Sequence, residues 1–106
     1  MEQLPGPSGP GTVVLDIGGD VGAAVIYTPA PLAGDEIEIR ALSEPWDGTH
    51  VAVRARNLPS GLVHAAVFES LASGAYEVRV RGEEIGPRFR FEVAGGRVTS
   101  GRLAGA

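Results

Sequence analysis

Cysteine is absent from this 106-residue chain, which removes thiol nucleophiles, thiolate metal ligands and disulfides from its chemistry. Lysine is absent as well: all nine basic side chains are arginines, set against 13 acidic residues for a net charge of -4. That balance disfavours non-specific attraction to nucleic acid or anionic lipid. No apolar run approaches the roughly 18 residues of a membrane span, so none is expected. Residues 1–11 carry neither the basic start nor the apolar stretch of a secretion signal. With three prolines and three glycines among polar residues, they read as a flexible tail. Without disulfides, a reducing, cytoplasmic setting is the expectation. Helical spacing of apolar residues is missing too, and the segment from Glu69 to Ala75 has room for no more than a single helical turn.

What the chain does contain is period-two alternation, recurring about every ten residues and broken by Gly, Pro and Asn turns. The pattern predicts about eight strands, near residues 12–17, 21–28, 36–42, 49–56, 62–69, 75–81, 88–93 and 97–103. The expected fold is all-β, an antiparallel β-sandwich of about seven to eight strands, prealbumin-like or immunoglobulin-like, over residues 12–104. A chain of this length forms one domain and buries roughly 60 to 70% of its unfolded surface. Its 43% apolar residues are enough to build that core.

The alternation also assigns faces. Ile37 and Ile39 oppose Glu36, Glu38 and Arg40. Tyr76, Val78 and Val80 oppose Glu77, Arg79 and Arg81, and Phe89, Phe91 and Val93 oppose Arg88, Arg90 and Glu92. The segments 21–27 and 62–68 are apolar on both parities, apart from His64, and are expected at the centre, covered on both sides. Val14, Ile17, Val25, Val51, Val53 and Val67 complete the expected core.

The segment Asp16-Ile17-Gly18-Gly19-Asp20 joins two apolar runs and is similar to the phosphate-binding hairpin of the sugar-kinase, actin and Hsp70 family. That resemblance implies a second lobe, for which a chain of this length has no room. Two carboxylates flank the glycines, and a strand rather than a helix follows. The residues themselves read as a tight turn, with Asp16, Asp20 and His64 as weak metal-ligand candidates. A hairpin centred on Pro59 pairs His64 with Arg54 and His50 with Phe68, and holds the imidazoles roughly 13 Å apart, too far to share a metal directly. Ser60 and Ser73 precede glycines in turns and lie outside any Gly-x-Ser-x-Gly elbow.

The arginines of the last hairpins are the more informative surface. A symmetric closure of residues 82–87 sets Arg81 against Arg88, Arg79 against Arg90 and Glu77 against Glu92. Like charges then meet three times, at a few tenths of a kcal/mol to about one each. A two-residue slip one way brings Arg79 beside Arg88 and Glu77 beside Arg90; the other way, it brings Arg79 beside Glu92. On one reading Arg79, Arg81, Arg88 and Arg90 form a patch for a carboxylate- or phosphate-bearing partner. On the other, they are ion pairs with Glu36, Glu38, Glu77 and Glu92 on a solvated face. Trp46, the single tryptophan, stands on a loop between Glu44 and Asp47, either as a partner contact or as a lid over the end of the sandwich.

The run Leu71-Ala72-Ser73-Gly74-Ala75-Tyr76-Glu77-Val78-Arg79-Val80, followed by Phe91-Glu92-Val93-Ala94-Gly95-Gly96-Arg97-Val98-Thr99, resembles the closing strands of prealbumin-like, carboxypeptidase-regulatory-type β-sandwiches. The whole chain resembles small actinobacterial proteins that share Leu15-Asp16-Ile17-Gly18-Gly19-Asp20, the strand from Gly34 to Ile39 and Ala65-Ala66-Val67-Phe68. Some of these carry the label phospholipase, without a catalytic set that maps here. The expectation is a non-enzymatic binding or interaction module that needs no cofactor. It acts through Arg79, Arg81, Arg88, Arg90 and Trp46 on a protein partner or a second copy. The alternatives are a small metal-assisted hydrolase using His50, His64, Asp16 and Asp20, and an accessory subunit of a larger enzyme.

Overall fold

The computed structural model describes residues 17–103, so the tail, the expected core residue Val14, the candidate Asp16 and all but the last residue of the first predicted strand lie outside it. The described chain forms eight strands: β1 (Val21–Thr28), β2 (Glu36–Ala41), β3 (His50–Ala52), β4 (Arg54–Leu58), β5 (Gly61–Ala72), β6 (Gly74–Val80), β7 (Arg88–Val93) and β8 (Val98–Arg102). Among the described residues the one helical element is a 3-10 turn at Ala30–Leu32. The segment from Glu69 to Ala75 makes no helical turn; β5 runs through it to Ala72.

Two four-stranded sheets, ordered β4-β5-β1-β8 and β3-β2-β6-β7, make a β-sandwich. As the unbroken apolar runs imply, β1 and β5 are the central strands of the first sheet. The predicted strand at 49–56 is divided. It leaves one sheet after Ala52 and joins the other at Arg54, with buried Val53 as the corner. The Val53 N–H donates to the Asp35 carbonyl at 2.8 Å, and its own carbonyl accepts from Gly34 N–H at 3.1 Å, so the crossing leaves no main-chain group of that residue unpaired. All pairings are antiparallel but one: β8 runs parallel to β1, from Ala23 beside Val98 to Tyr27 beside Arg102. The connection from β7 passes to the opposite sheet, and β8 enters there in the direction of β1.

Between the sheets lie Ile26, Ala66, Phe68 and Leu103 from one side and Ile37, Ile39, Val78, Val80, Phe91 and Val93 from the other. Ile26, Ile37, Val78 and Leu103 are fully buried, each worth about 1.5 to 3 kcal/mol of transfer free energy. Tyr76, Phe89 and Val51 pack half-buried at the margin. Tyr76 and Phe89 stack on either side of Phe91, at 5.9 and 5.8 Å between centroids. Val25 and Val67 belong elsewhere. With Ala23 and Ala65 they form a second cluster, against which Ile17, Tyr27 and Val98 pack on the outer side of the first sheet.

Gly19 and Asp20 ahead of β1 make a two-residue turn. Gly18 and Val21 exchange both N–H···O bonds at 2.9 Å, and Gly19 has φ 56° while no non-glycine among the described residues has positive φ, the signature of a type II′ turn. Gly95 packs against this turn so closely that a β-carbon there would overlap the Gly19 carbonyl.

Candidate binding face

The outer face of the β3-β2-β6-β7 sheet gathers the side chains that alternation set opposite the core. Its register is the slipped one: Arg79 lies beside Arg88 and Glu77 beside Arg90 in the β6-β7 pair, while β2 brings Glu38 to Arg79 and Arg40 to Glu77. Glu77 is therefore flanked by arginine on both neighbouring strands. Arg40 reaches its Oε1 with Nη2 at 2.9 Å and Nε at 3.2 Å, Arg90 Nε reaches Oε2 at 3.2 Å, and Arg88 Nη1 stands 3.7 Å from Oε1. The carboxylate is buried, at 3% exposure. Burial works to raise its pKa, but hydrogen bonds from Arg40 and Arg90, with their charges, together outweigh it and hold the carboxyl below the ordinary glutamate value.

Arg79 donates from Nε to Glu38 Oε1 at 2.8 Å, and Arg81 from Nη1 to Glu36 Oε1 at 2.6 Å. The hydrogen bond from Arg81 lowers the Glu36 pKa, against a smaller effect of burial and with help from His50. His50 is held by the Gly48 carbonyl at Nδ1, 2.8 Å away. Its Nε2 lies 3.3 Å from Glu36 Oε2 and 3.2 Å from Arg81 Nη1.

Trp46 neither caps the core nor stands free. Its ring lies over this charged face, 4.0 Å from the Arg79 guanidinium, with Arg40 at 5.2 Å and Arg88 at 5.6 Å. The loop is turned down onto the sheet by its main chain: Arg40 Nη1 donates to the Glu44 carbonyl at 3.0 Å, and Thr49 N–H to Asp47 Oδ1 at 3.0 Å. The latter bond holds Asp47 below the ordinary aspartate value.

All five residues named from the sequence, Arg79, Arg81, Arg88, Arg90 and Trp46, thus share one face, and the arginines pair with Glu36, Glu38 and Glu77, while Glu92, also expected as a partner, makes no ion pair among the described residues. Arg40 is the member the sequence reading overlooked. The signal was present in its alternation with Glu36 and Glu38, but only the β2-β6 register puts it on Glu77. Ile85, 97% exposed at the tip of the β6-β7 connection, was likewise overlooked.

The metal candidates among the described residues, Asp20, His50 and His64, are dispersed. His64 belongs to β5, beside Thr28 and Ala55 rather than Arg54, while His50 belongs to β3 in the other sheet. The expected hairpin joining the two histidines is broken by the crossing at Val53. Asp20 is exposed at the entry of β1, where its carbonyl accepts from Ser73 N–H and Oγ–H. His64 sits at the far end of the same strand pair, beside Thr28 eight residues on, about 27 Å away at roughly 3.4 Å per residue. Among the described residues no three His, Asp or Glu side chains are grouped to hold a metal.

No family model, curated protein or solved structure matches the chain. No helix among the described residues is long and apolar enough to cross a membrane.

Proposed function

We propose that this chain is a non-enzymatic binding module that receives an anionic protein surface on the outer face of the β3-β2-β6-β7 sheet, through Arg79, Arg81, Arg88, Arg90 and Trp46. The observation that carries this reading is the sharing of one buried carboxylate, Glu77, by three arginines. A single carboxylate neutralises one guanidinium, so Arg40, Arg88 and Arg90 keep positive charge around Glu77, offset only in part by Glu92 on the same face of β7, in a chain whose net charge is -4. Arg90 is the most open of the three, with 68% of its side chain exposed. Trp46 adds a half-buried aromatic surface beside them, the residue pair favoured at protein contacts. The prealbumin-like resemblance of the closing strands and a cytoplasmic setting fit this role, and an accessory subunit of a larger enzyme is the same reading with an enzyme as the partner.

The test is co-purification from the native host with the full chain as bait. A partner retained by the wild type and by Arg97→Glu, but lost with Arg88→Glu/Arg90→Glu and reduced by Trp46→Ala, is the expected result. A partner held equally by the charge-reversed chain would overturn the proposal. So would metal-dependent esterase or phosphoesterase turnover that His64→Ala abolishes.

A further inference from the structure

β7 is the last strand of its sheet; β8 of the other sheet meets its Glu92 end through Thr99 and sets Gly101 against the Phe89 ring, while its Arg88 and Arg90 share Glu77 with Arg40. Main-chain groups of alternate residues on a strand point to opposite sides, and two bonds fix which ones point outward here. The Ala75 carbonyl on β6 accepts from Leu42 N–H, on the β2 side, so β6 turns Tyr76 and Val78 toward β7, where they pair with Phe91 and Phe89. The Glu92 carbonyl accepts from Thr99 Oγ–H, on the side away from β6. The N–H and C=O groups of Arg88 and Arg90 therefore face the open edge. The two arginines that share Glu77 with Arg40 thus also present main-chain donors and acceptors to that edge, unpaired among the described residues.

Resting on the binding reading above, we infer that the partner docks as an added β-strand: an extended acidic segment pairs with β7 and sets carboxylates two residues apart against Arg88 and Arg90. An antiparallel strand in hydrogen-bonded register presents one side chain opposite each arginine on the outer face. The spacing between the two is about 7 Å. The residue between those carboxylates falls on the inner side, beside half-buried Phe89 and the Gly101 of β8 that packs on its ring, and is apolar. The sequence class recognised is acidic, apolar, acidic, in extended conformation. Charged edge strands ordinarily discourage pairing with copies of themselves. Here the same charges select a partner of opposite sign.

The probe is acetyl-Glu-Val-Glu-Val-Glu-Val-Glu-amide, titrated into the full-length chain and followed by Trp46 fluorescence and by amide exchange along β7. Saturable binding is expected at up to millimolar peptide, with at least tenfold slower exchange at the Arg88 and Arg90 amides. Affinity should fall at least tenfold with Arg90→Glu, and equally when alternate peptide nitrogens are methylated to block strand pairing. If the methylated peptide binds as well, strand addition is overturned while the arginine-dependent binding reading stands. If binding ignores Arg90→Glu, both fall. No binding at millimolar peptide, or a concentration-dependent dimer that protects the β7 amides without peptide, also overturns the proposal.

Discussion

Glu77 sets the charge arithmetic of the binding face. Removing it leaves Arg40, Arg88 and Arg90 around a vacated site. Glu77→Ala is expected to cost about 2 kcal/mol in urea unfolding, less than a fully buried pair because Arg90 remains largely in water. Its pH dependence has a definite sign. The carboxyl titrates below its unfolded value in the folded chain, so its contribution is complete above the ordinary glutamate range and is lost as pH falls through the folded value. Unfolding midpoints should decline below roughly pH 4.5, more steeply in the wild type than in Glu77→Gln. At Gly95 the constraint is steric. A β-carbon meets main chain rather than a movable side chain, and Gly95→Ala should cost about 1 to 3 kcal/mol in the same assay. The glycines that first resemble a phosphate cradle serve this close approach and the reversal at Gly19.

At the scale of elements, the Trp46 loop is a cover laid over guanidinium groups. Trp46→Ala should cost under about 1 kcal/mol, the size of a partly solvated cation-π contact. Arg79→Ala should cost more, because Glu38 loses its cation, and should shift tryptophan emission to the red as the ring loses its stacking partner. The faces of β2, β6 and β7 were legible from alternation alone, since one-sided burial leaves a period-two trace. The β6-β7 register was legible as a choice, because a symmetric closure would have set like charges opposite each other three times. The division of β3 from β4 was not legible: Thr49 to Arg56 alternates without a glycine or proline to mark the corner. That single crossing put the two histidines in different sheets. Nor was the resting place of Trp46 legible, because loop conformation leaves no periodic signature.

Across the whole molecule, the two outer faces differ in kind. One sheet carries on its outer side a buried cluster of Ala23, Val25, Ala65 and Val67, with Ile17, Tyr27 and Val98 packed on it, and the other turns out paired charge. The inner faces share one apolar core, to which both sheets contribute. Unfolding should therefore be a single cooperative event. Trp46 fluorescence, which reports the charged sheet, and far-UV circular dichroism, which reports both, are expected to give coincident urea transitions. Separate midpoints would mean that the sheets come apart one at a time.

The parallel seating of β8 on β1 has a mechanical consequence. Tension drawn between the entry of β1 and the exit of β8 pulls these neighbours along their length in opposite senses. Their evenly spaced bonds, from Ala23 beside Val98 to Tyr27 beside Arg102, then bear the load together rather than opening one after another. A chain built this way resists stretching through its ends far better than peeling at the β3 edge, and its rupture force is set by one seam five residues long.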